Sequence, residues 1–332
     1  MSNFEVLNNK NVLVTGGAGF IGSELTNQLL SANCKVTVVD NLINGKVENL
    51  KSDSDNLNFL NEDIRNYDLM QKLISNSDYL FHLASMGIRH SLHSPIENHE
   101  VNAEGTLNLL RMSELNKNLK FIHISTSEVY GKAHYTPMDE SHPTLVSTVY
   151  GGSKLAGESY VRAFNETFNL DSVVIRPFNS YGPNSHHEGD CGEVIPKFII
   201  RALTNNPLYI FGDGTQTRDF TYVSDSANAI IKIGTNYDSC ETFNVGSEKE
   251  ISINHLADLI IKLTGSKSEI IHIEPRPGDV LRLCSDSTKA FDKFNLKYKY
   301  NLEQGLSKLI DWYKGKELEA LINEDEIRNW EI

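Results

Sequence analysis

The sequence predicts an α/β protein in which a doubly wound parallel sheet is followed by a smaller α/β domain. Three observations carry this. Short apolar runs alternate with segments of helical spacing through the first half, and a glycine-rich turn joins the first such run to the first helix. Beyond about residue 178 the chain becomes punctuated by Pro and Gly clusters. Alternating β and α elements are what a parallel sheet covered by helices on both faces requires. At 332 residues the chain exceeds what one average core usually holds, so two units are expected.

Taken in order, Asn11–Thr15 (NVLVT) reads as a strand and Phe20–Ala32 as a helix with Ile21, Leu25 and Leu29 on one face. Lys35–Asp40 (KVTVVD), Tyr79–Ala84 (YLFHLA), Phe121–Ser125 (FIHIS) and Ser172–Arg176 (SVVIR) are further strands, several of them apolar on both faces. Val101–Leu115 and Tyr150–Phe168 have helical spacing. Past residue 178, FNSYGP (Phe178–Pro183), FGDGTQ (Phe211–Gln216) and EPRPGD (Glu274–Asp279) separate helical patterns at Val194–Leu203, Ile253–Leu263 and Gln304–Tyr313. The expected division is a sheet domain over 1–178, rejoined by about 213–240, and a second, loop-rich domain from the remainder of 179–332. No internal repeat is present.

Composition excludes several function classes. Apolar residues make up 39%, enough for a real core, which rules out a disordered or fibrous chain. Lys and Arg number 31 against 44 Asp and Glu, a net charge of −13 that repels nucleic acid and anionic membrane alike. An anionic ligand therefore has to be held by local arginines or backbone amides. Cys34, Cys191, Cys240 and Cys284 lack any CxxC pairing, so reduced thiols are expected and a zinc ribbon or disulfide framework is not. The N-terminal stretch is polar and no apolar run approaches the eighteen or so residues that cross a bilayer, so a cytoplasmic chain is expected.

Gly16-Gly17-Ala18-Gly19-Phe20-Ile21-Gly22 follows the first strand and opens the first helix. Gly16, Gly19 and Gly22 let the backbone turn tightly and approach a pyrophosphate, while the helix N-terminus offers free N–H groups. Asp40, ending the second strand, can accept hydrogen bonds from the adenosine ribose and would repel a 2′-phosphate. Strand, glycines, helix and acid together predict a Rossmann-type dinucleotide site that takes NAD in preference to NADP. Asp63, after the NFLNED run, is a candidate adenine contact; a plain surface aspartate is the alternative reading.

Tyr150-Gly-Gly-Ser-Lys154 places a phenol and an ammonium one helical turn apart. A nearby cation stabilises phenolate, which would lower the tyrosine pKa and fit it to take a proton from a hydroxyl. Ser125-Thr126-Ser127-Glu128 follows the FIHIS strand at the carboxyl edge, where open α/β sheets bind ligands.

Together these segments resemble the extended short-chain dehydrogenase/reductase family, which modifies nucleotide-diphosphate sugars. The likeness extends along nearly the whole chain: TGGAGFIG (Thr15–Gly22), DNL (Asp40–Leu42), FHLA (Phe81–Ala84), VNAEGTLNLL with Asn102, STSEVYG (Ser125–Gly131), YGGSK, RPFNSYGP (Arg176–Pro183), QTRDFTYV (Gln216–Val223) and RPGDVLR (Arg276–Arg282). The resemblance implies Tyr150 as base, Lys154 as its activator and ribose clamp, and Thr126 as the hydroxyl that positions the sugar 4-OH. It implies cofactor contacts from Gly16, Gly19, Phe20, Ile21, Gly22, Asp40, Asn41, Asp63, Ile64, Leu83, Ala84 and Asn102. Asn179, Arg218, Arg276 and Arg282 become contacts to the substrate diphosphate and nucleoside, which suits the bidentate recognition that arginine offers. A homodimer pairing the two helices Val101–Leu115 and Tyr150–Phe168 is implied as well.

Enzymes of this family first oxidise C4 of the sugar to a ketone with bound NAD. Epimerases need no further base and usually carry a small residue where this chain has Glu128. In 4,6-dehydratases a glutamate there removes the C5 proton, with Ser127 standing here where the dTDP-glucose type has aspartate. Decarboxylases carry a carboxylate-binding arginine one place after Arg282, where this chain has Leu283. The expected order is 4,6-dehydratase of a UDP-sugar, then 4-epimerase, then UDP-glucuronate decarboxylase. A non-catalytic NAD-binding scaffold is the reading from a different class, and the intact Thr126, Tyr150 and Lys154 argue against it. His186-His187-Glu188 lacks a third spaced ligand, so no metal is expected. His82 and His123 are expected as satisfied core residues, and His90 and His93 as lining of the sugar pocket.

Overall fold

The computed structural model of the protein describes residues 4–51, 53–189, 192–276 and 280–323. Cys191 and Pro277–Asp279 of the RPGD motif lie outside the described residues. From the N-terminus, β1 (Asn11–Thr15), β2 (Lys35–Asp40), β3 (Leu57–Asn61), β4 (Tyr79–His82), β5 (Lys120–Ile124) and β6 (Ser172–Pro177) alternate with helices. These are α1 (Phe20–Ser31), α2 (Tyr67–Ser75), α3 (His90–His93), α4 (Pro95–His99), α5 (Thr106–Ser113) and α6 (Val149–Phe168). The chain then forms β7 (Asn179–Tyr181), α7 (Val194–Leu203), β8 (Leu208–Phe211), β9 (Thr217–Tyr222) and α8 (Val223–Asn236) before β10 (Thr242–Val245) rejoins the first sheet beside β6.

That sheet has seven parallel strands in the order β10-β6-β5-β4-β1-β2-β3. Side-chain alternation explains why β1 reads apolar throughout. Val12 and Val14 pack with Leu25 and Leu29 of α1 and Ile230 of α8 on one face. Leu13 packs on the other with Leu80, Leu110 and Val161. Strand order reverses between β1 and β4, and a crevice opens there at the carboxyl ends, the place where such sheets bind ligands.

The rest of the chain adds β11 (Glu250–Ser252), α9 (Ile253–Thr264), β12 (Ile270–Ile273), β13 (Arg282–Leu283), α10 (Thr288–Phe294), α11 (Leu302–Lys314) and α12 (Leu318–Asn323). β9 lies between β11 and β13 and also pairs with β7, while β12 pairs with β8. A second apolar core joins Phe198 and Ile199 of α7, Leu256 and Ile260 of α9, and Leu306 and Leu309 of α11.

Two details depart from the sequence reading. The helix expected over Val101–Leu115 begins as a wide π-turn at Glu100–Gly105 and becomes α-helical only at Thr106. Asn102 sits in that turn, wholly buried, with its amide bonded to the backbone N and O of Met86 and to Ser153. The strand expected to reach Ala84 ends at His82, because Leu83 and Ala84 turn to meet the glycine loop, where a Cβ on Gly16 would fall 2.7 Å from the Ala84 nitrogen.

Candidate active site

The β1–α1 turn is built so that only hydrogen fits at Gly16 and Gly22. Gly16 has φ +71°, and a Cβ on Gly22 would lie 2.1 Å from the Gly16 carbonyl oxygen. Gly19 is the N-cap of α1 and has no side chain to cap the first-turn N–H groups, which remain available to an anion. Asp40 braces this turn. Its Oδ2 accepts from the Ala18 N–H at 2.9 Å and its Oδ1 from the Leu42 N–H at 2.9 Å. A carboxylate has about four acceptor sites, so both oxygens keep capacity toward the cleft that Asp40 lines. Asn41 donates to Asp63 at 3.0 Å, and Arg65 grips the same carboxylate through Nε and Nη2 at 2.9 Å each. Burial works against the Asp63 charge, but Arg65 outweighs it and holds the carboxyl below its ordinary range.

Beyond β5, Thr126 caps the short 3-10 turn Ser127–Val129 by accepting the Glu128 N–H at 3.2 Å. Ser125, Thr126, Ser127, Glu128 and Tyr150 border one cleft of about 560 Å³ with the glycine turn, Asp63, Ile64, Leu83 and Ala84. His90 and His93 line it too. The strand end is held from below by a buried charge pair. Glu158 of α6 accepts from the Ser125 hydroxyl at 2.6 Å and from Arg176 Nε and Nη2 at 2.8 and 2.6 Å.

The electrostatics of the phenol differ from the sequence expectation. Burial pushes Tyr150 up to about 12; a hydrogen bond with the Thr126 hydroxyl lowers it and the Glu128 charge raises it. Lys154 does not offset this, because its Nζ donates to the Ile124 carbonyl at 2.7 Å, beneath the cleft. Burial lowers the Lys154 amine to about 8, with Glu158 pulling the other way.

A second cleft of about 330 Å³ shares Phe20, Ile21, Ile88, Arg89, Asn179 and Glu193 with the first, so the two form one groove. Its walls carry Arg89, Lys197, Arg201, Arg218 and Arg276 against a single acid, Glu193. On a chain of net charge −13, this concentration of cations marks an anion site. Asn179 Nδ2 is buried at the junction with no hydrogen-bond partner. Arg282 stands apart from both clefts. It lies opposite Thr217 in the β13–β9 register, one place out of phase with cleft-lining Arg218, and pairs with Glu250 on the other face.

The sequence profile of the NAD dependent epimerase/dehydratase family matches residues 12–246, most of the chain. The chain belongs to that family. Among its relatives, a protein described as a putative UDP-glucose 4-epimerase of Methanocaldococcus jannaschii is 36% identical over 91% of this chain and 98% of its own length. A UDP-N-acetyl-alpha-D-glucosaminuronate decarboxylase of Bacillus cytotoxicus is 35% identical, covering 92% and 98%. A dTDP-glucose 4,6-dehydratase of Streptomyces niveus is 32% identical, covering 91% and 92%. The crystal structure of Thermotoga maritima UDP-glucose 4-epimerase with UDP-glucose superposes with a TM-score of 0.87 at 34% identity, over 92% of this chain and 98% of that one. A dTDP-glucose 4,6-dehydratase of Streptomyces venezuelae, crystallised with NAD, gives 0.86 at 28% identity, over 92% and 97%.

As a member of this family the chain is an NAD-dependent enzyme, and its own residues fit the cofactor. The cradle that a Cβ at Gly16 or Gly22 would fill admits a pyrophosphate, and Asp40 stands where the adenosine ribose would lie. Asn102 and Lys154 are not on the cleft wall; they sit behind it, holding Met86 and Ile124. Sequence reading missed Arg89, Lys197, Arg201 and Glu193. Their only sequence signal is charge on an α7 that is otherwise apolar, and on a short loop after β4.

The histidines divide. His82 is fully buried between the hydroxyls of Thr15 and Thr106 at 2.8 and 2.9 Å, and desolvation lowers its pKa to about 3. His123, expected to be satisfied as well, has no partner for either ring nitrogen; it packs 5.5 Å from the His82 ring under Gly157. His186 and His187 flank Glu188, which also pairs with Lys46 across the cleft mouth at 3.1 Å. Among the described residues, no cluster of metal-binding side chains occurs.

Proposed function

We propose that this enzyme dehydrates a UDP-hexose across C5 and C6 through a 4-keto intermediate. The observation that supports it is Glu128, a carboxylate on the wall of the same cleft as Thr126 and Tyr150. Tyr150, hydrogen-bonded to Thr126, takes the C4 hydroxyl proton, and Thr126 fixes that hydroxyl in line. Bound NAD supplies the hydride acceptor for C4 and returns the hydride to C6, so it is not consumed. The ketone acidifies the C5 proton, which Glu128 removes. Glu128 passes that proton to the departing C6 hydroxyl, which leaves as water. Once hydride has added to C6, C5 takes up a proton from solvent and Tyr150 releases the one it gained from the C4 hydroxyl, so the protein ends unchanged. The cations of the second cleft receive the diphosphate. UDP is the favoured nucleotide because relatives of both epimerase and decarboxylase type are named for UDP-sugars.

A 4-epimerase is the second reading, favoured by the names of the Methanocaldococcus and Thermotoga relatives. Decarboxylation is disfavoured by Leu283, which is 3% exposed and packs among Tyr130, Met138 and Phe178. Glu128→Gln separates the two leading readings. A dehydratase variant of this kind still reduces bound NAD but stalls at the 4-keto sugar and exchanges little solvent deuterium into C5. Normal turnover without deuterium at C5 would replace dehydration with epimerisation.

A further inference from the structure

Glu193 is an acid with no role in the chemistry above. It is the N-cap of α7, a position where a carboxylate ordinarily accepts a first-turn N–H, yet its side chain makes no capping bond. It borders both clefts, at the junction where the cation-lined cleft opens into the one holding Thr126, Glu128 and Tyr150. A ligand with its diphosphate among the arginines and its reacting carbon at Tyr150 must lay its sugar across this junction. Asn179 borders the junction too, with the orphaned donor Nδ2. An unpartnered donor and an uncapping carboxylate that border the same junction suit a hydroxyl, which can accept from the first and donate to the second.

We propose that Glu193 reads the sugar, accepting a hydrogen bond from a ring hydroxyl and excluding sugars that carry a carboxylate. The substrate class is then a neutral hexose or N-acetylhexosamine on a nucleoside diphosphate. This rests on the nucleotide-sugar reading of the groove. The reason for exclusion is like charge in a crowded cleft: a uronate brings a second carboxylate against Glu193, and such juxtaposition is a common source of specificity. Burial raises the Glu193 carboxyl above its ordinary range, while His186 and Arg89, which face it, favour its charged form. UDP, lacking a sugar, reports whatever Glu193 does to the diphosphate site alone, an effect common to all three ligands that cancels in the ratio of the two sugars.

The test is equilibrium binding of UDP, UDP-glucose and UDP-glucuronate to the NAD-loaded enzyme by calorimetry, for the parent protein and Glu193→Gln. The parent should bind UDP-glucose about tenfold or more tightly than UDP-glucuronate, and Glu193→Gln should bring the ratio near one, by improving the uronate more than it changes UDP. An unchanged ratio in Glu193→Gln with UDP binding intact overturns the inference and leaves the groove's reading standing. Failure of the parent to bind UDP overturns both. If Glu193→Gln does not fold, Glu193→Asp serves instead: it should still reject the uronate but lose about tenfold for UDP-glucose, and undiminished UDP-glucose binding would count against Glu193.

Discussion

Tyr150 and Lys154 are each displaced from the ordinary value by burial, the phenol up to about 12 and the amine down to about 8. Tyr150→Phe keeps the ring and loses the proton acceptor, so the melting temperature should hold while turnover falls roughly a hundredfold or more. Near-normal turnover would assign the hydroxyl proton to another group. Lys154 adds a pH dependence of stability. Its folded value lies below the 10.5 of the free side chain, so between about 8 and 10.5 the unfolded chain holds the extra proton and stability rises with pH. Below that window the cost of burying the ammonium is fully present. Denaturant unfolding of the parent against Lys154→Met should show the difference shifting toward the parent across the window, by on the order of 3 kcal/mol. A flat difference would mean the amine titrates normally. Asp40 is the residue we propose to select the cofactor: titration of both dinucleotides into stripped enzyme should find NAD binding much more tightly than NADP, and equal affinities would remove Asp40 from the ribose site.

Among the elements, the β1–α1 turn gives the sharpest local test. A methyl at Gly22 meets the Gly16 carbonyl oxygen at 2.1 Å, whereas one at Gly19 meets it at 3.3 Å. Gly22→Ala should lower both the melting temperature and NAD affinity, the latter by about tenfold or more, and Gly19→Ala should cost the fold less. Equal melting temperatures would show that the turn can open. This turn was legible in the sequence because its signal is local: glycines, a preceding strand, a following helix and an acid at the next strand end. The Thr126, Tyr150 and Lys154 positions were legible for the same reason, each lying at a strand end or one helical turn away. The anion cleft was not. Arg89, Lys197, Arg201, Arg218 and Arg276 come from four separate segments, and only the tertiary fold brings them together. Strand register, equally non-local, turned Arg282 away from the groove while Arg218 faces it. The Tyr150 electrostatics were misread because spacing along a helix does not show that Lys154 is engaged by the Ile124 carbonyl.

At the scale of the whole molecule, an acidic chain gathers its cations on one wall of a groove and sets a tyrosine, a threonine and a glutamate at the other end. Ile96, Leu115 and Phe168, 73%, 66% and 42% exposed, lie on or just after α4, α5 and α6. The last two of these helices are the ones that the family resemblance pairs in a homodimer, and light scattering should find about twice the 37.3 kDa chain mass. A monomer at micromolar concentration would contradict that pairing. In the proposed reaction Glu128 carries the 4-keto sugar on to loss of water. Mass spectrometry of the products from UDP-glucose and UDP-N-acetylglucosamine tests it most directly. The expected product is lighter by one water, about 18 Da, the balance that a C5 base in this site requires. A product of unchanged mass with inverted C4 would contradict it and make the enzyme an epimerase.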